Sequence, residues 1–182
     1  GGRATAQGGA IRNKGDLTLE SCIFSDNQTS ASTGSGGGAV YTTGGLTVRG
    51  CTFYGNVAQR GGAIYRVTSG DVTLTGNLFI GNTAKSDADG HVVYGTTTSG
   101  GYNVSDNAAG NDTAGNGSGY KTGTDDTFSI GSSPVSPGSF KPFSESAAAG
   151  KLPDTLPEGY PELDFYGQTI PAGGAAGAVK AQ

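Results

Sequence analysis

Tryptophan and methionine are missing from this chain of 182 residues, which also has a single histidine and only two cysteines. One histidine leaves little for a catalytic triad or a histidine-rich metal site. Two cysteines make no disulfide framework and fit either redox compartment. Only 14% of residues are charged, too few for charge-driven disorder. The net charge is −4, against the basic face that phosphate binding needs, so no nucleic-acid partner is expected. No apolar run approaches the ~20 residues of a membrane span. Glycine is abundant, at 35 residues, but lacks the strict triplet of collagen. The chain opens on GGRATAQ, which reads as the interior of a longer protein.

What is present is a repeat. GDLTLESCIFSDN (15–27), GGLTVRGCTFYGN (44–56) and GDVTLTGNLFIGN (70–82) align without a gap. Each follows a second word: GGAI (8–11), GGAVY (37–41) and GGAIY (61–65). A degraded fourth copy reads GHVVY (90–94) and VSDN (104–107). Within a copy, Leu17 and Leu19 alternate with Thr18 and Glu20, as do Leu46 and Val48, or Val72 and Leu74, with their polar neighbours. Short alternating runs bounded by glycine and asparagine are strand signals. The copies are spaced 29 and 26 residues apart, with no helical period between them. That spacing predicts two or three short strands per copy, stacked in parallel at ~4.8 Å. The expected fold is all-β: a right-handed parallel β-helix of about four rungs over 1–107, with 108–182 as an irregular carboxy-terminal cap.

In-register stacking predicts columns of like residues. Phe24, Phe53 and Phe79 should form one, closed by Val104. Ile11, Val40, Ile64 and Val93 should form another. Tyr41, Tyr65 and Tyr94 should form a third on the outer surface, either a flat aromatic ladder suited to a glycan or a protein or a stack covered by loops. Asn27, Asn56, Asn82 and Asn107 should form an amide ladder at a corner where asparagine tolerates the left-handed region. Cys22 and Cys51 share one repeat position, where the third copy has Asn77. Two readings stay open for them. Stacked buried thiols are one; a disulfide is the other, with a suitable separation but side chains that point the same way.

Candidate chemistry is sparse. His91 stands where other copies have glycine, and nothing marks a serine or carboxylate to complete a triad. Asp125-Asp126 and Asp87-x-Asp89 are paired acids of the kind glycosidases use, set in loops where acids are commonly just solvated. The S-D-A-D-G-H run places Asp87 and Asp89 as calcium ligands, without the remainder of a twelve-residue loop. No other cofactor is implied. Arg49, Arg60 and Arg66 are available to a lyase, but no motif ties them to carboxylates. No phosphate-binding glycine loop lies between a strand and a helix.

The paired GGA[IV] and F-x-x-N words resemble the repeats of polymorphic outer membrane proteins of chlamydia-type autotransporters. They also resemble secreted bacterial right-handed parallel β-helix repeat proteins. The words are Gly8–Ile11 with Phe24–Asn27, Gly37–Val40 with Phe53–Asn56, and Gly61–Ile64 with Phe79–Asn82. Asp164-Phe165-Tyr166-Gly167, ahead of Gly177-Ala178-Val179, is similar to the closing D-F-x-G segment of such secreted proteins. The resemblance implies an extracellular or surface location and adhesion. The scaffold also carries polysaccharide lyases and hydrolases. The expected role is therefore a non-catalytic structural or adhesive module that contacts a glycan or a cell-surface protein. Two alternatives stand beside it: the trailing part of a carbohydrate-active enzyme, and a fibre subunit stacking on further copies through an uncapped first rung.

Overall fold

The computed structural model describes residues 1–30, 36–67, 70–85, 92–106, 125–127, 130 and 133–181. Among these residues sixteen short strands run in parallel rungs. The first rung holds β2 (Ile11–Asn13), β3 (Leu17–Glu20), β4 (Ile23–Ser25) and β5 (Gln28–Thr29). The second holds β6 (Val40–Thr42), β7 (Leu46–Arg49), β8 (Thr52–Tyr54) and β9 (Val57–Ala58). The third holds β10 (Ile64–Arg66), β11 (Val72–Thr75), β12 (Leu78–Ile80) and β13 (Thr83–Ala84). The fourth holds β14 (Val93–Tyr94), β15 (Thr98–Ser99) and β16 (Val104–Ser105), while β1 (Arg3–Ala4) precedes the first.

Strands stack with their counterparts one rung away. The sheets are β1-β5-β9-β13, β14-β10-β6-β2, β15-β11-β7-β3 and β16-β12-β8-β4. Every strand pair is parallel. This is the all-β parallel solenoid that the spacing predicts, with three complete turns and a shorter fourth. Ladder pairing goes on past residue 107, because Thr127 bridges Val104 in parallel.

The GGA word has a separate reason for each glycine. The first of each pair lies in the left-handed region, with φ of 62° at Gly8, 78° at Gly37 and 58° at Gly61. A methyl there would enter the carbonyl three residues on. The second faces the adjacent rung: a methyl at Gly9 would meet the Gly38 carbonyl, and one at Gly38 the Gly62 carbonyl. Backbones approach there too closely for any side chain.

Inside the coil, Phe24, Phe53 and Phe79 stack with centroids 4.9 and 5.0 Å apart and planes within 12°. Aromatic pairs favour offset-stacked or edge-on contacts; the rung period selects the near-parallel one here. Ile11, Val40, Ile64 and Val93 also line up as expected. Val104 does not close the phenylalanine column. It pairs with Leu78, and the residue opposite Phe79 is Ser105. The F-x-x-N spacing misplaces the fourth copy by one position, and a one-residue shift reverses the facing of a strand.

The carboxy-terminal segment supplies a second core. Its described part lies along the flank of the coil. Leu78, Ile80 and Val104 turn outward and are buried against Val135, Ala148 and Ala176. Ala178 N donates to Thr52 Oγ1, and Phe140 meets Tyr54 edge-on. The segment reaches back to the first rung, where Ser21 Oγ donates to the Leu163 carbonyl. Asp164 is buried and organises its end: Oδ1 accepts Tyr166 N and Gln168 N, and Oδ2 accepts Lys180 N. That gives the D-F-x-G word a structural purpose, with Gly167 at φ 75° completing the turn.

Candidate functional site

Two corners of the first three rungs carry a polar ladder, largely buried. At the first, Asn27 N and Nδ2 both donate to Asn56 Oδ1, at 3.0 and 2.8 Å. Asn56 repeats the pattern on Asn82, at 3.1 and 2.8 Å. Gly2 N fills the same acceptor on Asn27. Asn107, expected as the fourth member, lies outside the described residues.

The second ladder is Cys22, Cys51, Asn77, Asn103 and Asp126. Cys51 N donates to Asn77 Oδ1 at 2.9 Å, and Asn77 N to Asn103 Oδ1 at 2.9 Å. Asn103 N and Nδ2 both donate to Asp126 Oδ1, whose Oδ2 accepts Ser99 Oγ. The sequence reading identifies only the shared position of Cys22, Cys51 and Asn77. The signal for the rest is an asparagine or aspartate following glycine, tyrosine or aspartate at about the repeat interval.

The left-handed residue at each corner is the one before the ladder residue, which corrects the expectation placed on asparagine itself. Positive φ falls on Asp26 (54°), Gly55 (62°) and Gly81 (63°), ahead of Asn27, Asn56 and Asn82. It also falls on Ser21, Gly50, Gly76, Tyr102 and Asp125, ahead of the second ladder. Asp125-Asp126 is thus a corner: Asp125 adopts the strained conformation and Asp126 is the last described member of a ladder. Asp87, Asp89 and His91 lie outside the described residues. Among those described, no group of three or more His, Cys, Asp and Glu is placed to hold a metal ion. A hollow beside Ile130, Pro134 and Phe143 has Glu145 as its one acid among the described lining residues.

The tyrosine ladder forms: Tyr41 and Tyr65 lie 5.4 Å apart, and Tyr65 and Tyr94 4.7 Å apart, with planes within 4°. It is not an open platform. Tyr41 is 8% exposed and Tyr65 9%. Both faces of Tyr65 are taken by its neighbours, and the Arg60 guanidinium lies 5.3 Å from the Tyr94 ring centre. Burial also pushes the Tyr65 hydroxyl pKa up.

A more open face belongs to the sheet of β3, β7, β11 and β15. Thr18, Thr47, Thr73 and Thr98 stand opposite one another in consecutive rungs. Thr18 and Thr98 are exposed, and Thr47 and Thr73 half-buried. Beside them Arg49 pairs with Glu20 at 3.1 Å. Sequence alternation places these threonines outside; the column follows from the register.

The two cysteines are free thiols. Cys22 N lies 3.4 Å from Cys51 Sγ. Cys51 is fully buried and Cys22 half-buried. The Cys51 thiol, hydrogen-bonded to Cys22, brings the Cys22 pKa down to about 6. Burial pushes Cys51 well up.

A parallel coil with glycine-lined corners and buried side-chain ladders defines a β-helix solenoid. The family model for the right handed beta helix region matches residues 3–127, and the chain belongs to that family. No curated protein and no solved structure matches the chain. No helix among the described residues is long and apolar enough to cross a membrane.

Proposed function

We propose that the protein is a non-catalytic extracellular or cell-surface module that engages a repeating polymer, a polysaccharide foremost, along the outer face of β3, β7, β11 and β15. The observation that carries this reading is the register of Thr18, Thr47, Thr73 and Thr98. Four hydroxyls recur at the rung interval of ~4.8 Å. Each both donates and accepts, as sugar hydroxyls do. A solenoid makes such surfaces by repetition, so weak contacts add along the axis. The adjacent face of β4, β8, β12 and β16 is covered by the protein's own carboxy-terminal segment, whereas the threonine face is more open.

The test is a polysaccharide array with the intact chain and with Thr47→Asp/Thr73→Asp. The expected result is binding to at least one polymer, weakened tenfold or more in the variant. Binding that the variant leaves unchanged overturns the choice of face. Shortening of the polymer during incubation overturns the non-catalytic reading in favour of a carbohydrate-active enzyme.

Homotypic stacking is a second reading. Ile11 and Leu17 of the first rung are half-buried, whereas Val40 and Leu46 beneath them are fully buried. Light scattering across a concentration series decides it: growth in mass supports a fibre subunit, and a constant mass opposes one.

A further inference from the structure

Cys22 and Cys51 occupy one ladder position on successive rungs, and no bond joins them. An asparagine there serves the ladder better. The step from Asn77 to Asn103 makes two amide hydrogen bonds, at 2.9 and 3.0 Å, while the step from Cys22 to Cys51 rests on sulfur, with the Cys22 N–H 3.4 Å from Cys51 Sγ. Sulfur is a weak acceptor. The pair therefore contributes little as a ladder and is placed for thiol chemistry.

We propose that Cys22 and Cys51 form a reversible dithiol–disulfide pair, with Cys22 meeting an external small-molecule disulfide and Cys51 resolving the adduct. The two sites are unequal in the way this requires. Cys22 is partly open to solvent; Cys51 is fully buried and lies against the Cys22 backbone. Redox-active cysteines are characteristically an accessible thiolate beside a resolving partner. The depressed pKa of Cys22, about 6, keeps it ionised near neutrality, while the raised pKa of Cys51 keeps its proton until it is needed. Adjacent rungs at ~4.8 Å fall within the Cα separations that disulfides span. Closure asks the Cys22 side chain to turn toward the second rung.

The exchange balances. The Cys22 thiolate attacks one sulfur of RSSR, forming a mixed disulfide and expelling RS⁻. The Cys51 thiol gives its proton to solvent or to RS⁻ and attacks Cys22 Sγ. The Cys22–Cys51 bond forms as the second RS⁻ leaves and takes up a proton. Two protein thiols are oxidised by two electrons, and RSSR is reduced to two RSH. The product staples the first rung to the second.

The experiment equilibrates the intact chain in glutathione buffers of graded redox ratio, alkylates the remaining thiols and reads intact mass. The expected product is a chain lighter by two hydrogens, with no retained glutathione, restored by dithiothreitol and melting several degrees higher than the reduced form. Cys51→Asn, which copies the amide of the third rung, should stop at one glutathione per chain. Cys22→Asn should take up none. A wild-type chain that stays fully alkylatable at every ratio, or that accumulates the glutathione adduct, overturns the proposal. So does equal adduct formation by the two variants. The asparagine variants keep the ladder, so a failure of chemistry is distinguishable from a failure to fold; circular dichroism confirms each.

Discussion

Asn103 delivers both its backbone N–H and its side-chain amide to a single oxygen of Asp126, at 2.7 and 3.0 Å. The same two-donor grip joins Asn27 to Asn56 and Asn56 to Asn82 at the opposite corner. A carboxylate thus joins a ladder otherwise built from thiols and amides. Replacing Asp126 by alanine strands the Asn103 N–H and the Ser99 hydroxyl, while the Asn103 amide keeps the Leu74 carbonyl and Ser99 Oγ. Buried donors without acceptors cost about 1–3 kcal/mol each. Asp126→Ala should lower the urea-derived stability by about 2–4 kcal/mol, while Asp125→Gly should be neutral or mildly stabilising, since its φ is 56°. Urea titrations of both variants check this.

Asn56 sits at the centre of the first ladder and is fully buried. It accepts two hydrogen bonds from Asn27 and donates its amide to the Phe24 carbonyl and to Asn82. Asn56→Ala should cost at least about 3 kcal/mol in urea unfolding. Asn56→Asp keeps the acceptor for Asn27 but sets a buried carboxylate oxygen against the Phe24 carbonyl and Asn82 Oδ1, so near neutral pH it should cost at least as much as alanine.

Leu78 faces away from the coil and is fully buried beneath the carboxy-terminal segment. Its conversion to serine should loosen that segment and spare the rungs. Limited proteolysis with mass mapping should then show new cuts within 133–181 and none within 36–67. Cuts appearing first in the rungs would mean that segment and coil unfold as one unit.

Asp106 gives a pH signature. Burial raises its carboxyl pKa above the ordinary value of 3.8, despite a hydrogen bond from Gly81 N at 2.6 Å. A raised acid holds its proton more tightly in the folded chain. Its stabilising contribution is complete below the unfolded value and is lost as pH rises through the folded one. Asp106→Asn keeps an acceptor for Gly81 and removes the titration. The wild-type chain should therefore lose stability relative to Asp106→Asn as pH climbs from about 3 to neutrality. Paired urea midpoints across that range measure the difference, in which other carboxylates cancel.

The rungs were readable because the determinants repeat. Gly37 and Gly61 recur for φ and for close backbone approach, and Phe24, Phe53 and Phe79 recur because the period carries them into one column. The flank was harder to read. Leu78-Phe79-Ile80 is an unbroken apolar run, the sign of a strand buried on both faces, yet only Phe79 fits the inward column. Its outward partners, Val135, Ala148 and Ala176, come from a non-repeating segment, where no period announces a contact. The second ladder was half visible, since Cys22, Cys51 and Asn77 share a slot. Asp126 reads in the sequence as half of a paired acid in a solvated loop, because sequence shows the pair and not the corner geometry that separates the two residues. The tyrosines aligned as their spacing implied, but exposure depends on what packs over them, and that is not local information.

The strap along the flank also sets an order of events in folding. Rungs close by contacts 26 or 29 residues apart, so the coil can zip from one turn to the next. The bond from Ser21 to Leu163 spans 142 residues and waits until the far end of the chain has arrived. Until then Leu78 and Ile80 present a bare apolar stripe on a finished coil. Docking of the segment is therefore the expected slow step, and the sticky interval should fall between completion of the turns and that docking.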